Sequence, residues 1–189
     1  MSKNIKSRRN FLSKMLVASA SGVVLLSSSA NARGKKTNNA SVLTEDQKDM
    51  LFFIYQEEKV ARDVYITLGN KHINENTFAS IQLSEQRHMD SARGLCEKYG
   101  VSIDGVDEDN VGSFVLPVLQ ELYNTCVSEG EKSLLDALKM GELIELADID
   151  DLEHAAVGMP DDVVKVYDSL LEGSLSHLDA FQTAISRAE

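Results

Sequence analysis

Glu85 and His88 stand one helical turn apart in Ser84-Glu85-Gln86-Arg87-His88-Met89. Phe78, Ile81, Glu85, His88, Ala92, Leu95 and Tyr99 follow an alternating three-and-four spacing, which keeps positions on one side of an α-helix. A carboxylate and an imidazole therefore occupy core positions. An ionised carboxylate is costly to bury without a partner, so the pattern calls for a counter-charge, a metal or a break in the helix, and this pairing of residue types inside a helix bundle suits a metal.

The same inward placement recurs along the chain. A first helix starts at the capping sequence Thr44-Glu45-Asp46-Gln47 and is expected to run to about Leu68, before Gly69. Its inward stripe is Leu51, Ile54, Glu58, Ala61, Tyr65 and Leu68, while Glu57, Lys59, Arg62 and Asp63 fall off it and read as solvated charges. The second helix follows Asn74 to Asn76 and ends at Tyr99-Gly100. A third main helix starts near Glu131 to Ser133 with Leu135, Leu138, Glu142, Glu145, Ile149, Leu152 and Ala156 facing inward. Asp148, Asp150 and Asp151 lie off that stripe, as solvated groups or, at most, partners of the ligands. The last helix follows Gly158-Met159-Pro160, with Pro160 suited to an early helical position. Its stripe is Val163, Tyr167, Leu170, Ser174, His177, Phe181 and Ala184. His72 and His154 read as surface residues.

Glu58, Glu85, His88, Glu142, Glu145 and His177 thus form one candidate metal-ligand set on four helices. Four Glu and two His can hold two divalent cations, with Glu58 and Glu145 as bridging carboxylates. Iron, or manganese, matches carboxylate and imidazole donors better than a soft thiolate site would. Tyr65 and Tyr167 lie near the same stripe, to fill the core, to carry an electron or to hydrogen-bond to a ligand.

A faint repeat relates the two halves. Glu58 precedes Asp63 by the interval that separates Glu145 from Asp150, and His88-Met89-Asp90 is echoed by His177-Leu178-Asp179. Glu58 then corresponds to Glu145 and His88 to His177. The correspondence fails at Glu85, which matches Ser174, and Glu142 is the expected substitute for the missing carboxylate.

The elements that must position these residues read as all-α. Only Pro117 and Pro160 interrupt 189 residues, strand signals are scarce, and Phe114 to Ser128 forms a short additional helix between two helical hairpins. No βαβ alternation, phosphate-cradling glycine loop or nucleophile elbow is present. Val101 to Gly112, with Asp104, Asp107, Glu108 and Asp109, lacks the ordered pattern of a calcium loop and is expected to be solvated. Cys96 and Cys126 either form a bridge or remain two buried thiols; no Cys-x-x-Cys or Cys/His cluster points to zinc or iron–sulfur chemistry.

Residues 1–32 resemble a twin-arginine export signal: Ser7-Arg8-Arg9-Asn10-Phe11-Leu12-Ser13-Lys14, an apolar run from Met15 to Leu26, and Ala30-Asn31-Ala32, with cleavage expected after Ala32. The apolar run is too short to span a bilayer. An exported, periplasmic or extracellular protein is expected, with a disordered leader over 33–43 and one domain over 44–189. Cleavage removes Lys3, Lys6, Arg8, Arg9 and Lys14 and no acid, taking the formal charge from −11 to −16. Such a balance argues against nucleic acid or an anionic membrane surface as partner.

Glu57 to Tyr65, Ser84 to Met89, Leu143-Ile144-Glu145 with Asp148 to Leu152, and Ser174 to Phe181 together resemble the ferritin-like family catalogued as domain of unknown function 2202. The resemblance covers nearly the whole mature chain. It implies a ferritin-like antiparallel four-helix bundle with a di-metal centre, in a superfamily that oxidises ferrous iron or reduces oxygen or peroxide. Ser174 departs from that superfamily's paired Glu-x-x-His pattern. Two other functions compete with redox catalysis: a protein that sequesters metal without turnover, and a metal-free helical interaction module. Oligomers are compatible with all three.

Overall fold

The computed structural model describes residues 42–189, so the expected export signal and nearly all of the expected leader lie outside the described residues. Five helices follow in chain order: α1 (Glu45–Lys71), α2 (Asn76–Tyr99), α3 (Pro117–Gly130), α4 (Leu134–Ala155) and α5 (Asp161–Ala188), with no strand among the described residues. Leu43, the last residue of the expected leader, is buried in the core.

Local chemistry sets the helix ends. Thr44 caps α1 as anticipated: its Oγ1 accepts from the Gln47 amide at 3.2 Å while Gln47 Oε1 accepts from the Thr44 amide at 2.9 Å. Gly69 does not stop the helix, which continues to Lys71. A Cβ at Gly69 would lie 3.0 Å from Phe78 Cβ, so this glycine serves close packing of α1 on α2. Gly100 does terminate α2, at φ 65°, where the Val101 amide reaches back to the Cys96 carbonyl at 2.8 Å. Ser133 caps α4 through the Asp136 amide at 3.0 Å. Pro160 stands at the N-cap of α5, just outside the helix.

α1 with α2 and α4 with α5 form two helical hairpins that pack through α1 on α4 and α2 on α5, while α3 braces α1 and α4. The expected inward stripes of α1 and α5 are buried throughout, and that of α2 is buried up to the half-exposed Tyr99. Tyr65, Phe78 and Phe181 interlock at one end of the core, with ring centroids 5.1–6.2 Å apart.

The expectation of solvated charges on α1 fails. Lys59, Arg62 and Asp63 are buried, because the connection after α2 lays its backbone over α1, while its own Asp104, Asp107 and Asp109 stand exposed as expected. Lys59 Nζ donates to Asp63 Oδ2 at 2.6 Å and to the carbonyls of Asn110 and Ser113 at 3.0 and 3.2 Å. Arg62 donates to Asp63 and to the Glu108 carbonyl, and the Gly112 amide donates to Asp63 Oδ2 at 2.9 Å. Glu108 itself accepts from Tyr55 and Arg93. Glu57 is likewise buried, since α1 is enclosed on all sides from Phe53 to Tyr65. Cys96 and Cys126 are both buried, unbridged thiols, and burial pushes each up to about 12.

Candidate metal centre

Halfway along the four long helices the core becomes polar. Glu58 on α1, Glu85 and His88 on α2, Glu145 on α4 and His177 on α5 converge there, each buried. The two imidazole rings stack, with centroids 5.2 Å apart and planes inclined by 27°. Glu85 lies between them. Its Oε1 is 2.7 Å from His177 Nδ1, and its Oε2 is 3.0 Å from His88 Nδ1. Glu58 Oε2 approaches His88 Nδ1 at 3.3 Å, and Glu145 Oε2 approaches His177 Nδ1 at 3.5 Å. The arrangement is two carboxylate-histidine pairs sharing a central carboxylate. That shared group is Glu85, while Glu58 and Glu145 each approach one imidazole.

These short approaches do not have hydrogen-bond geometry. Nδ1 of both histidines, Glu58 Oε1 and Glu85 Oε1 are buried without a hydrogen-bond partner. Donor atoms crowd together but do not satisfy one another, as they would when directed at a cation. Glu85, His88 and His177 each offer an atom within 4.8 Å of the others, and these three can hold a metal ion.

Asp148 is the residue that sequence reasoning missed. It is buried beside the cluster, with Oδ2 accepting from Ser174 Oγ at 2.6 Å and Oδ1 lacking a hydrogen-bond partner. Glu142, expected among the ligands, is not brought to the cluster: it is half-exposed and its Oε1 accepts from Gln182 Nε2 at 3.1 Å. The cause is helical phase. The buried face of α4 contains Leu138, Gly141, Glu145, Asp148, Leu152 and Ala155, whereas Leu135, Glu142, Ile149 and Ala156 are only partly covered. Both readings share Leu138, Glu145 and Leu152, and large apolar side chains favoured the wrong one. Gly141 decides the phase, since a Cβ there would stand 2.3 Å from Phe181 Cε1. Glycine carries no hydrophobic signal, so this contact left no trace in the pattern. The repeat offered a better clue: Glu58 to Glu145 puts Asp148 opposite Ala61, one turn on.

The surroundings fix the protonation of the metal-free cluster. Burial raises Glu58 to about 8, and burial, reinforced by the Glu85 charge, raises Glu145 to about 8. Burial also raises Asp148 well above the usual carboxylate range, with Glu58 adding to it. Burial would raise Glu85 too, but the two flanking imidazoles outweigh it and hold this carboxyl down at about 2. Burial opposes the charge on His88 and His177, and their carboxylate neighbours override it, to about 11 and 9. Tyr65 donates to Glu145 Oε1 at 2.7 Å, fixing that carboxylate from the α1 side. His72 and His154 lie away from the cluster, bonded to the carbonyls of Gly130 and Asp150.

The profile of the family described as an uncharacterized protein domain, DUF2202, matches residues 47–188, a span that contains every residue of the cluster. "Uncharacterized protein MJ0754" of Methanocaldococcus jannaschii is 44% identical over 140 residues, covering 74% of this chain and 75% of the relative. The crystal structure of hypothetical protein MJ0754 from Methanococcus jannaschii aligns with a TM-score of 0.74 at 40% identity, covering 81% of this chain and 87% of that one.

Proposed function

We propose that this chain, which belongs to the DUF2202 family, is a ferritin-like protein with a carboxylate-histidine di-metal centre, filled by iron. Glu58, Glu85 and His88 would hold one ion and Glu145, Glu85 and His177 the other, with Asp148 supplying a fourth carboxylate. The observation that carries this reading is the convergence of both Nδ1 atoms on the two oxygens of Glu85 without hydrogen-bond geometry. Four carboxylates balance two divalent cations, and the donor set suits iron or manganese. Without metal, Glu58, Glu145 and Asp148 retain protons to be buried, while the two imidazoles offset the charge of Glu85.

Bound iron would supply one-electron chemistry toward oxygen or peroxide, with oxidation of ferrous iron or reduction of the oxidant as the outcome. The chain's own residues orient and shield. Tyr65 pins Glu145, Ser174 pins Asp148, and the aromatic cluster of Tyr65, Phe78 and Phe181 excludes water at one end. A deeply buried centre favours a resident cofactor over a site that must release its ion, so redox catalysis is preferred to sequestration. Export through residues 1–32 belongs to the same proposal, as a folded protein carried with its metal.

Elemental analysis of protein purified without chelator tests the reading, beside a Glu85→Ala/His88→Ala variant. About two iron or manganese ions per chain, lost in the variant, is the expected result. No metal in either, and no change in stability when ferrous iron is added without oxygen, would overturn both the catalytic and the sequestering readings.

A further inference from the structure

The centre is not sealed equally on all sides. His88 also forms part of the wall of a groove of about 420 Å³ between α2 and the first half of α5. Ser84 and Arg87 line it from α2, and Asp162, Lys165 and Ser169 from α5. The charges are unevenly committed. Asp162 is engaged by Lys98 Nζ at 2.7 Å and by the Tyr99 hydroxyl at 2.8 Å, whereas Arg87 and Lys165 have no ion-pair partner among the described residues. In a chain of formal charge −11, two unmatched cations facing one groove form a local reversal of sign. Free metal cations are repelled from such a place and anions are drawn to it.

We propose that this groove binds a small oxyanion of the size and charge of inorganic phosphate, between Arg87 and Lys165 and against His88. The guanidinium offers a planar fork of donors and the ammonium a compact charge, the combination that recognises tetrahedral oxyanions, and Ser84 and Ser169 add hydroxyl donors. His88 connects this site to the interior. Its Nδ1 faces Glu58 and Glu85, and its Nε2 lies on the side of Gly173 of α5, where a Cβ would come within 2.4 Å. An anion in the groove therefore sits one imidazole ring away from the carboxylate cluster. Its role as an antechamber for anionic reactants rests on the di-metal reading, whereas the binding itself does not.

The test uses the metal-free full chain at low ionic strength, titrated calorimetrically with inorganic phosphate while the His88 ring resonances are followed by NMR. Saturable binding that shifts those resonances, and that weakens about tenfold or more in Arg87→Gln/Lys165→Gln, is expected. Absence of saturable binding, equal binding by the variant, or an unmoved His88 signal would overturn the proposal. Metal content is measured separately on both proteins. A parent that binds phosphate but never takes up metal would support the anion site while removing the di-metal reading, so the two failures are distinguishable.

Discussion

Ser174 on α5 donates a 2.6 Å hydrogen bond to Asp148 on α4. In the register of the internal repeat, Ser174 corresponds to Glu85 and Asp148 to Ala61. The two hairpins have therefore exchanged a carboxylate across the helix pair. In the first hairpin α2 carries buried Glu85 and α1 a small buried Ala61, and in the second α4 carries Asp148 and α5 the small Ser174 that bonds to it. Each hairpin thus brings two carboxylates to the interior, Glu58 and Glu85 from the first and Glu145 and Asp148 from the second, although Glu85 comes from the later helix of its hairpin and Asp148 from the earlier helix of its own.

Asp148→Asn should accordingly weaken metal retention by about 10–100-fold in a chelator competition, and Ser174→Ala by about tenfold through loss of the group that orients it. Glu142→Gln should leave metal content unchanged. Metal loss in Glu142→Gln with full retention in Asp148→Asn would return the centre to the ligand set that the apolar periodicity suggested.

Gly173→Ala should displace the His88 ring, because the new Cβ would lie 2.4 Å from Nε2. Overpacking of this kind costs about 1–3 kcal/mol in chemical denaturation, and metal affinity should fall with it. Gly94→Ala on α2 meets nothing within 4 Å and should be neutral or stabilising by up to about 1 kcal/mol.

The metal-free protein should lose stability as pH rises from about 5 to 9. Glu58 and Glu145 are raised from 4.5 to about 8, and His88 and His177 from 6.5 to about 11 and 9. Each raised group contributes stability fully present below its unfolded value and lost as pH climbs through its folded one. Glu85, lowered from 4.5 to about 2, acts oppositely, and its contribution disappears only as pH falls toward 2. Metal uptake requires deprotonated carboxylates and neutral imidazoles, so affinity should increase with pH and protons should be released, measurable in buffers of different ionisation enthalpy. Metal-free stability that rises between pH 5 and 8 would contradict this protonation scheme.

Asp63→Leu should be among the most destabilising substitutions away from the centre. It removes the carboxylate partner of fully buried Lys59, leaving that ammonium with carbonyl acceptors alone. Breaking a buried pair this way costs about 3–5 kcal/mol. Arg93→Ala, at a partly exposed ion pair with Glu108, should cost at most about 1 kcal/mol when both variants are unfolded in urea.

The sequence by itself determined the helices and most of the polar core, because amphipathic periodicity, capping residues and an inward Glu or His leave marks within one turn of chain. Leu51 to Leu68, Phe78 to Leu95 and Val163 to Ala184 were legible for that reason, as were Glu58, Glu85, His88, Glu145 and His177 as a group facing inward. Tertiary structure decided what depended on a neighbour. The phase of α4 rests on Phe181 filling the space at Gly141, and it brings Asp148 inside while leaving Glu142 outside. The burial of Lys59 and Asp63 rests on carbonyls and amides of the 108–113 segment, distant in sequence, whose polar backbone solvates the charges that the helix pattern assigned to water. Periodicity records which residues avoid water on one helix, and only packing records what takes its place.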